Sequence, residues 1–274
     1  MLGSLLLCAL GSGLARKLLL NQLPASAVDA RLLLSTLPLD ADAKRRALVA
    51  LDARAPLVTA PLLSAAQCVA VRKWAAPRID TRTLDSVDGV PEQQVTVPAE
   101  TLARLVGADT YAVMRGWPDA HGRRGGGNGG GGGGDGGGPP RAPRPRAPRA
   151  FSAFVRKYAP ASKRSRLPFH LDTNAYTLNV ALTADDDVRG GRLLALHAGR
   201  VLDVRRAAGD ATLHDNTVCH AVSDVAEGTR YALLLFFYAR AVHPFAVRAA
   251  RRPTPAAPVT APRPRRTARR PPGT

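Results

Sequence analysis

The sequence predicts a mainly β core of the α+β class, with helices before it in the chain. Two patterns support this prediction. Between residues 151 and 238, short apolar segments follow one another at even spacing, which is typical of an all-β core. Between residues 61 and 117, apolar residues instead recur at helical spacing. The length of 274 residues suits one domain with appendages.

Residues 1–57 are predicted to be a leader followed by short helices. Residues 1–15 are apolar and uncharged, end in small residues and precede Arg16-Lys17. This stretch is too short to span a membrane, and it fits either a secretory signal or anchor, or an amphipathic or disordered leader. The first alternative places the protein in the secretory pathway and the second in the cytoplasm. Residues 26–55, rich in Ala, Leu, Asp and Arg, predict one or two short surface helices.

Residues 58–121 are predicted to form the N-terminal helical part of the domain. One helix begins after Ser64, a residue type that commonly caps helices. Its apolar positions are Cys68, Val71, Trp74 and Ala75. A second helix is predicted from Thr101 to Trp117. Its apolar positions are Leu102, Leu105, Val106, Tyr111 and Met114. Both helices are expected to brace the outside of a sheet.

Two segments, 122–149 and 247–274, are predicted to be disordered, the first as an insertion rich in Gly, Pro and Arg and the second as a basic tail. Neither composition can bury enough apolar surface to offset the ordering of its backbone. Residues 121–150 hold six Arg and one Asp, and 248–274 hold eight Arg and no acid, so the two stretches carry +5 and +8 of the net charge of +18. The tail lacks aromatic residues to stack on bases, so we expect weak electrostatic contacts and no specific nucleic-acid binding.

Residues 150–246 are predicted to form the β core. Tyr176–Leu182 alternates with period two, and its polar or small face (Thr177, Asn179 and Ala181) should line a pocket. Arg230–Tyr238 is apolar on both faces, as expected of a strand covered on both sides. Three further strands are predicted at Phe151–Tyr158, Leu193–His197 and Ala211–His214. The Gly190-Gly191 pair predicts a tight turn, and Asp185-Asp186-Asp187 predicts a solvated one.

Three residues of the core predict a metal site. His170 and Asp172 are two positions apart, so in an extended strand their side chains point to the same side. The third ligand is expected to be His220 rather than His197 or His214, because only His220 stands ten residues before an Arg-Tyr strand. Two imidazoles and one carboxylate form the facial triad that suits non-heme Fe(II) oxygenases.

Arg230 predicts an anion anchor at the start of the last strand. A guanidinium is costly to bury without an acidic partner, and Ala232 on the same face leaves room for a ligand carboxylate. Because a guanidinium binds a carboxylate through two parallel hydrogen bonds, Arg230 is predicted to hold a dicarboxylic cosubstrate.

Several motifs of residues 151–240 resemble a known family. They are His170-Leu171-Asp172, Thr177-Leu178-Asn179-Val180-Ala181-Leu182, Gly190-Gly191, Leu213-His214, His220 and Gly228-Thr229-Arg230-Tyr231. Together they resemble the 2-oxoglutarate- and Fe(II)-dependent dioxygenases of the prolyl and lysyl hydroxylase type, which include the prolyl 4-hydroxylase alpha subunit. The segments 177–182 and 228–231 are most similar to the procollagen-lysine hydroxylase branch.

The resemblance implies a double-stranded β-helix, or jelly roll, of eight strands with N-terminal helices packed on one sheet. It also implies a site in which Fe(II) is held by His170, Asp172 and His220. In that site 2-oxoglutarate binds the iron and Arg230, O2 is the second cosubstrate, and ascorbate is the reductant.

Two further cosubstrate contacts follow from the resemblance. Members of the family often have a tyrosine on the strand before the metal motif that reaches the cosubstrate, which makes Tyr158 a candidate. Many prolyl hydroxylases have a tyrosine where this chain has Ala181, so part of the usual contact is missing. Asn179 or Tyr158 is expected to replace it.

These observations predict a hydroxylase that acts on an unactivated C–H bond and converts 2-oxoglutarate and O2 to succinate and CO2. The expected substrate is a prolyl or lysyl residue of a protein or peptide. Two alternatives stay open. One is hydroxylation of a free small molecule, and the other is a non-catalytic metal-binding β-helix whose basic arms bind nucleic acid.

Overall fold

The computed structural model describes residues 13–52, 56–121, 150–160 and 162–238. The predicted insertion at 122–149, the tail at 247–274 and residues 1–12 of the leader lie outside these ranges, so the expectations for them remain predictions. Residues 13–19 are helical. The helices that follow are α1 (Ala30–Thr36), α2 (Ala41–Asp52), α3 (Ala65–Ala75), α4 (Ala99–Val106) and α5 (Ala108–His121).

Twelve strands are present in the described residues. They are β1 (Leu57–Pro61), β2 (Gln94–Thr96), β3 (Phe151–Tyr158), β4 (Leu167–His170), β5 (Tyr176–Ala181), β6 (Arg189–Gly190), β7 (Leu193–His197), β8 (Arg200–Val204), β9 (Asp210–Asp215), β10 (His220–Val222), β11 (Val225–Glu227) and β12 (Arg230–Phe237). Those at 151–158 and 193–197 have the predicted bounds. Strands β1, β2 and β8 were not predicted, because each is short and lacks a clear apolar alternation.

The strands form two antiparallel sheets, and the strands of the two sheets are interleaved along the chain. The large sheet has the order β1-β9-β5-β12-β3-β2, and the small sheet has the order β4-β10-β7-β8. A two-stranded ribbon, β11-β6, lies beside them. From β3 to β12 the chain passes repeatedly from one sheet to the other, and removing β1, β2 and the ribbon leaves eight strands in two sheets of four. This is the jelly-roll arrangement, so the predicted fold class is confirmed.

The outer face of the large sheet is covered by helices α3, α4 and α5. The predicted division of β5 is confirmed, because Leu178 and Val180 pack into this layer while Thr177 and Asn179 point to the other side. The main core comprises Val71, Leu102, Met114, Trp117, Val155, Leu178, Val180, Leu213, Leu233 and Leu235. Helix α3 begins as predicted, with Ser64 and Gln67 forming a reciprocal capping box.

The predicted packing of helices on one sheet is confirmed for α3, α4 and α5, and the small sheet carries helices as well. Residues of α1 and α2, expected to be surface helices, bury Leu33, Leu34 and Leu51 against the outer face of the small sheet. Their partners on that sheet are Phe169, Leu194, Leu196 and Ala221. The small sheet covers one face of these helices, while Leu32, Leu48 and Val49 on their other faces stay exposed. Both outer faces of the jelly roll therefore carry helices, and the two inner faces are turned toward each other.

The single helix predicted from 101 to 117 is two helices. Gly107 ends α4 with a φ of 82°, a conformation that favours glycine, and α5 begins at Ala108. The apolar spacing continues across the break, which is why the pattern alone suggested one helix. Within the part of the chain that the structure describes, no helix combines the length and apolar character needed to cross a membrane.

Candidate active site

Two histidines face each other across neighbouring strands of the small sheet. Strand β4 ends at His170 and β10 begins at His220, and the two are paired in the antiparallel register. Their ring centroids are 4.3 Å apart. Because side chains alternate along a strand, Phe169 and Ala221 point outward to the helices while both imidazoles point inward.

Asp172 completes a cluster with these two imidazoles. Its Oδ1 lies 3.5 Å from His170 Nε2, and its Oδ2 lies 3.8 Å from His220 Nε2. One potential ligand atom from each of the three residues lies within 4.8 Å of the others. The spacing predicted that Asp172 lies on the same strand as His170. Instead, β4 ends at His170, and Asp172 lies two residues beyond that end. The turn of the backbone after β4 therefore brings the carboxylate over the rings.

Hydrogen bonds to the backbone orient both imidazoles. His170 Nδ1 donates to the carbonyl of Pro168 at 2.9 Å, and His220 Nδ1 donates to the carbonyl of Val218 at 3.1 Å. With the proton on Nδ1, each Nε2 presents a lone pair to the cluster. The carboxylate is held too, because Thr177 Oγ1 donates to Asp172 Oδ2 and accepts from Asn174 Nδ2 at 2.9 Å.

The charges of the cluster suit metal ligation. Burial alone would raise the pKa of Asp172, but the neighbouring His220, His170 and His214 hold that pKa well below its usual range. Burial lowers the pKa of His220 well below its usual value, and the nearby imidazoles of His170 and His214 lower it further. At neutral pH the cluster thus offers an ionised carboxylate and a neutral His220, the protonation states that a metal ion requires.

His214 is a third buried imidazole at this site. Its Nε2 lies 3.8 Å from Asp172 Oδ2, and its ring centroid is 4.3 Å from that of His220. Strand β9 of the large sheet places it there, opposite the small sheet that carries the other two rings. His214 lies outside the three-residue group that could hold a metal ion, but its ring contacts that group. His197 is also outside the group. The sequence had ranked His214 behind His220 on spacing alone.

Arg230 lies at the start of β12, buried on the inner face of the large sheet. Its Nη1 donates to Asp185 Oδ1 at 2.6 Å. The prediction that Asp185 belongs to a solvated turn is wrong, because its side chain is only 3% exposed and carries this ion pair. Gly191 makes room for the arginine stem, because a Cβ at this position would lie 3.2 Å from Arg230 Cδ.

A second buried arginine, Arg206, joins Arg230 and the predicted contact Asn179 in one network. Arg206 is 4% exposed, and its Nη1 donates to Asn179 Oδ1 at 2.9 Å. Its backbone N–H donates to the other oxygen of Asp185 at 2.9 Å. Sequence reasoning missed Arg206, since it stands in an ordinary Arg-Arg-Ala-Ala loop of a chain with 39 Lys and Arg.

Tyr158 lies on the same inner face and is paired with Arg230 across β3 and β12. Its side chain is buried among Leu167, Val222 and Val225 and interacts with Arg156. Ala181 is paired with Ala232 on the neighbouring strands, and both are buried. The room for a ligand carboxylate that Ala232 was expected to leave stays a prediction.

The sequence matches no family model and no curated protein. Several solved structures have a similar backbone. The prolyl-4-hydroxylase of Pseudomonas putida is 16% identical over 68% of this chain and 94% of that chain, with a TM-score of 0.44. A 2OG-Fe(II) oxygenase family oxidoreductase of Burkholderia pseudomallei is 16% identical over 72% and 89%, with a TM-score of 0.43. The alpha-ketoglutarate-dependent epimerase SnoN of nogalamycin biosynthesis is 16% identical over 82% and 93%, with a TM-score of 0.46.

Proposed function

We propose that the chain is an Fe(II)- and 2-oxoglutarate-dependent oxygenase. The observation that carries the proposal is the convergence of His170, Asp172 and His220, with one ligand atom of each within 4.8 Å of the others, inside a jelly roll. A facial set of two imidazoles and one carboxylate leaves the remaining coordination positions of a metal open, which suits a non-heme Fe(II) that must also bind a cosubstrate and O2.

The donor set fits iron better than a structural zinc ion. Structural zinc sites are closed by four protein ligands and are rich in cysteine. Among the described residues the nearest candidate thiol is Cys219, which packs with Leu194 and Leu196 against the helices, and burial raises its pKa to about 12. Because Cys219 packs away from the two imidazoles, it adds no ligand to the cluster. Two nitrogen donors and one oxygen donor therefore define the candidate metal site.

The residues around the metal position have separate tasks. The backbone hydrogen bonds of His170 and His220 fix the tautomer and orientation of the rings, and Thr177 fixes the carboxylate of Asp172. Arg230 binds the far carboxylate of 2-oxoglutarate. Fe(II) held there would activate O2, which oxidises 2-oxoglutarate to succinate and CO2 with one oxygen atom and hydroxylates a C–H bond of the substrate with the other.

We further propose that the hydroxylated group is a prolyl or lysyl residue of a protein or peptide. This part is supported by the resemblance of residues 177–182 and 228–231 to the prolyl and lysyl hydroxylase type, with the greater likeness to the lysyl branch. Ascorbate is expected to keep the iron reduced between turnovers. A peptide panel with proline, lysine or neither separates these substrates, since only the modified peptide gains the mass of one oxygen atom.

The test is succinate release from the full-length protein supplied with Fe(II), 2-oxoglutarate and ascorbate. We expect turnover in the wild type and its loss in Asp172→Ala, because the substitution removes one of three metal ligands. Asp186→Ala, which removes an acid with a side chain 92% exposed, is the matched control and should keep the wild-type rate. Negligible succinate release in all three proteins, with no metal-dependent binding of 2-oxoglutarate, would refute the proposal.

A further inference from the structure

Two buried arginines, Arg206 and Arg230, contact the same carboxylate, that of Asp185. Arg230 is 1% exposed and Arg206 is 4% exposed. Asp185 accepts from the guanidinium of Arg230 but only from the backbone N–H of Arg206. The side chain of Arg206 is bound instead by Asn179, a neutral acceptor. The pair of arginines therefore carries one more positive charge than the carboxylate bonded to it can balance.

Each of the two guanidiniums also has one buried nitrogen that donates no hydrogen bond to a described residue. Arg206 Nε and Arg230 Nη2 have no hydrogen-bond partner within the described part of the chain. A buried donor without an acceptor is costly, and a buried charge without a partner is more so. Such an arrangement is expected where a ligand supplies the missing acceptor and the missing negative charge.

The surroundings of Arg206 do not remove this imbalance. Burial and the positive charge of Arg230 lower the pKa of Arg206 to about 9, and Asp185, Tyr158 and Asp210 only partly oppose that shift. Asp210 is occupied, because its Oδ2 accepts from the backbone N–H of Ala207 at 2.8 Å. A guanidinium remains protonated at neutral pH, so the direction of the shift indicates a charge that the surrounding residues stabilise poorly.

We propose that Arg206 is a second anchor for the far carboxylate of 2-oxoglutarate, which is bound by Arg206 and Arg230 together. This inference rests on the proposed function and assigns Arg206 a direct role in binding the cosubstrate. In this arrangement Asp185 and Asn179 act as acceptors that hold the two guanidiniums, and the cosubstrate satisfies the donors that they leave. Specificity for a 2-oxo acid with a second carboxylate then depends on both arginines.

The test compares two ligands that differ only in the far carboxylate. Binding of 2-oxoglutarate and of 2-oxopentanoate to the full-length protein is measured by calorimetry with Mn(II) in place of Fe(II), so that no turnover occurs. The ratio of the two dissociation constants reports the contribution of the far carboxylate. The variants are Arg206→Met and Arg206→Lys, with Arg205→Met as the charge control, because the Arg205 side chain is 63% exposed and one residue away.

We expect Arg206→Met to reduce the ratio by about 10- to 100-fold, the value of one charge-assisted hydrogen bond, and to leave binding of 2-oxopentanoate within about 2-fold. Arg206→Lys should retain part of the ratio because it retains the charge, and Arg205→Met should leave the ratio unchanged. The unliganded Arg206→Met protein should melt no lower than the wild type, because the substitution removes a poorly stabilised buried charge.

Two outcomes would overturn the inference. In the first, Arg206→Met keeps the wild-type ratio. In the second, it weakens both ligands equally and lowers the melting temperature, as a purely structural residue would. Should the wild type bind neither 2-oxo acid, the proposed function fails, and the anchor is then judged by the rise in melting temperature that succinate causes in the metal-free protein. A rise that Arg206→Met abolishes supports a two-arginine carboxylate site, and no rise in the wild type refutes it.

Discussion

The Nε2 atom of His214 lies 3.8 Å from Oδ2 of Asp172, and no described residue accepts or donates a hydrogen bond at this nitrogen. The His214 ring is only 1% exposed, so an unsatisfied polar atom is held directly against the candidate metal ligands. Such an atom is expected to interact with the metal-bound groups, either with the carboxylate or with a molecule bound beside it.

We therefore predict that His214→Leu weakens Mn(II) binding by about 10-fold, in the range found for residues that support metal ligands. His220→Ala, which removes a ligand, should weaken it far more. Competition with a chelator measures both effects. His121→Leu serves as the control, since His121 lies at the end of α5 and stacks on Trp117. Unchanged Mn(II) affinity in His214→Leu would show that the ring only fills space.

Thr177 gives a second prediction about the same carboxylate. Its hydroxyl donates to Asp172 Oδ2, and valine has the same shape without the hydroxyl. Thr177→Val should lower Mn(II) affinity by about 10-fold because Asp172 loses the hydrogen bond that orients it. Thr59→Val is the matched control, because Thr59 pairs with Thr212 on the neighbouring strand and contacts no ligand. Equal losses of affinity in the two variants would contradict the orienting role.

The stability of the metal-free protein should depend on pH through His220. Its pKa is lowered in the folded protein, so below about pH 6.5 the unfolded chain binds a proton that folded His220 does not. The free energy of unfolding should consequently fall as the pH drops from 6.5, by up to about 1.4 kcal/mol per pH unit. Urea titrations between pH 8 and pH 5 in the presence of a chelator measure the slope. His220→Gln should have a shallower slope, and an identical slope would disprove the assignment.

Substitution of Arg164 is expected to destabilise the fold strongly, because this residue holds the loop at Asp88 and Val90. Its guanidinium is fully buried, binds Asp88 through distances of 2.7 and 2.9 Å, and donates to the carbonyl of Val90. Removing one partner of a buried ion pair strands the other, so Arg164→Met should lower the free energy of unfolding by about 3–5 kcal/mol. Arg166→Met, at an ion pair whose arginine is 50% exposed, should change it by less than about 1 kcal/mol. Denaturant titration of both variants decides between a structural and a neutral role.

The sequence predicted those parts of the molecule that local pattern determines. The two faces of β5 follow from alternation, because successive side chains of a strand point to opposite sides, here to the helices and to the interior between the sheets. The capping box of α3 is likewise local, since Ser64 and Gln67 are three residues apart. The pairing of His170 with His220 was predicted only as a convergence of motif residues, and the strand register supplies the geometry.

The parts that were not predicted depend on contacts between distant residues. Asp185 looks like its neighbours Asp186 and Asp187, and only the ion pair with Arg230, 45 residues later, makes it a buried residue. Arg206 shows no local signal, because its partner Asn179 lies 27 residues upstream on another strand. The packing of α1 and α2 on the small sheet was missed for the same reason, since the strands that cover them come much later in the chain.

The cross-strand pairing of His170 with His220 also fixes when a cation can be acquired. The two imidazoles meet only after β10 has been added between β4 and β7, and β10 is among the last strands to be synthesised. A nascent chain on the ribosome that has not reached β10 offers at most one of the two rings. An ion that both imidazoles bind could therefore be acquired only after the small sheet has closed, and it could not guide the earlier steps of folding.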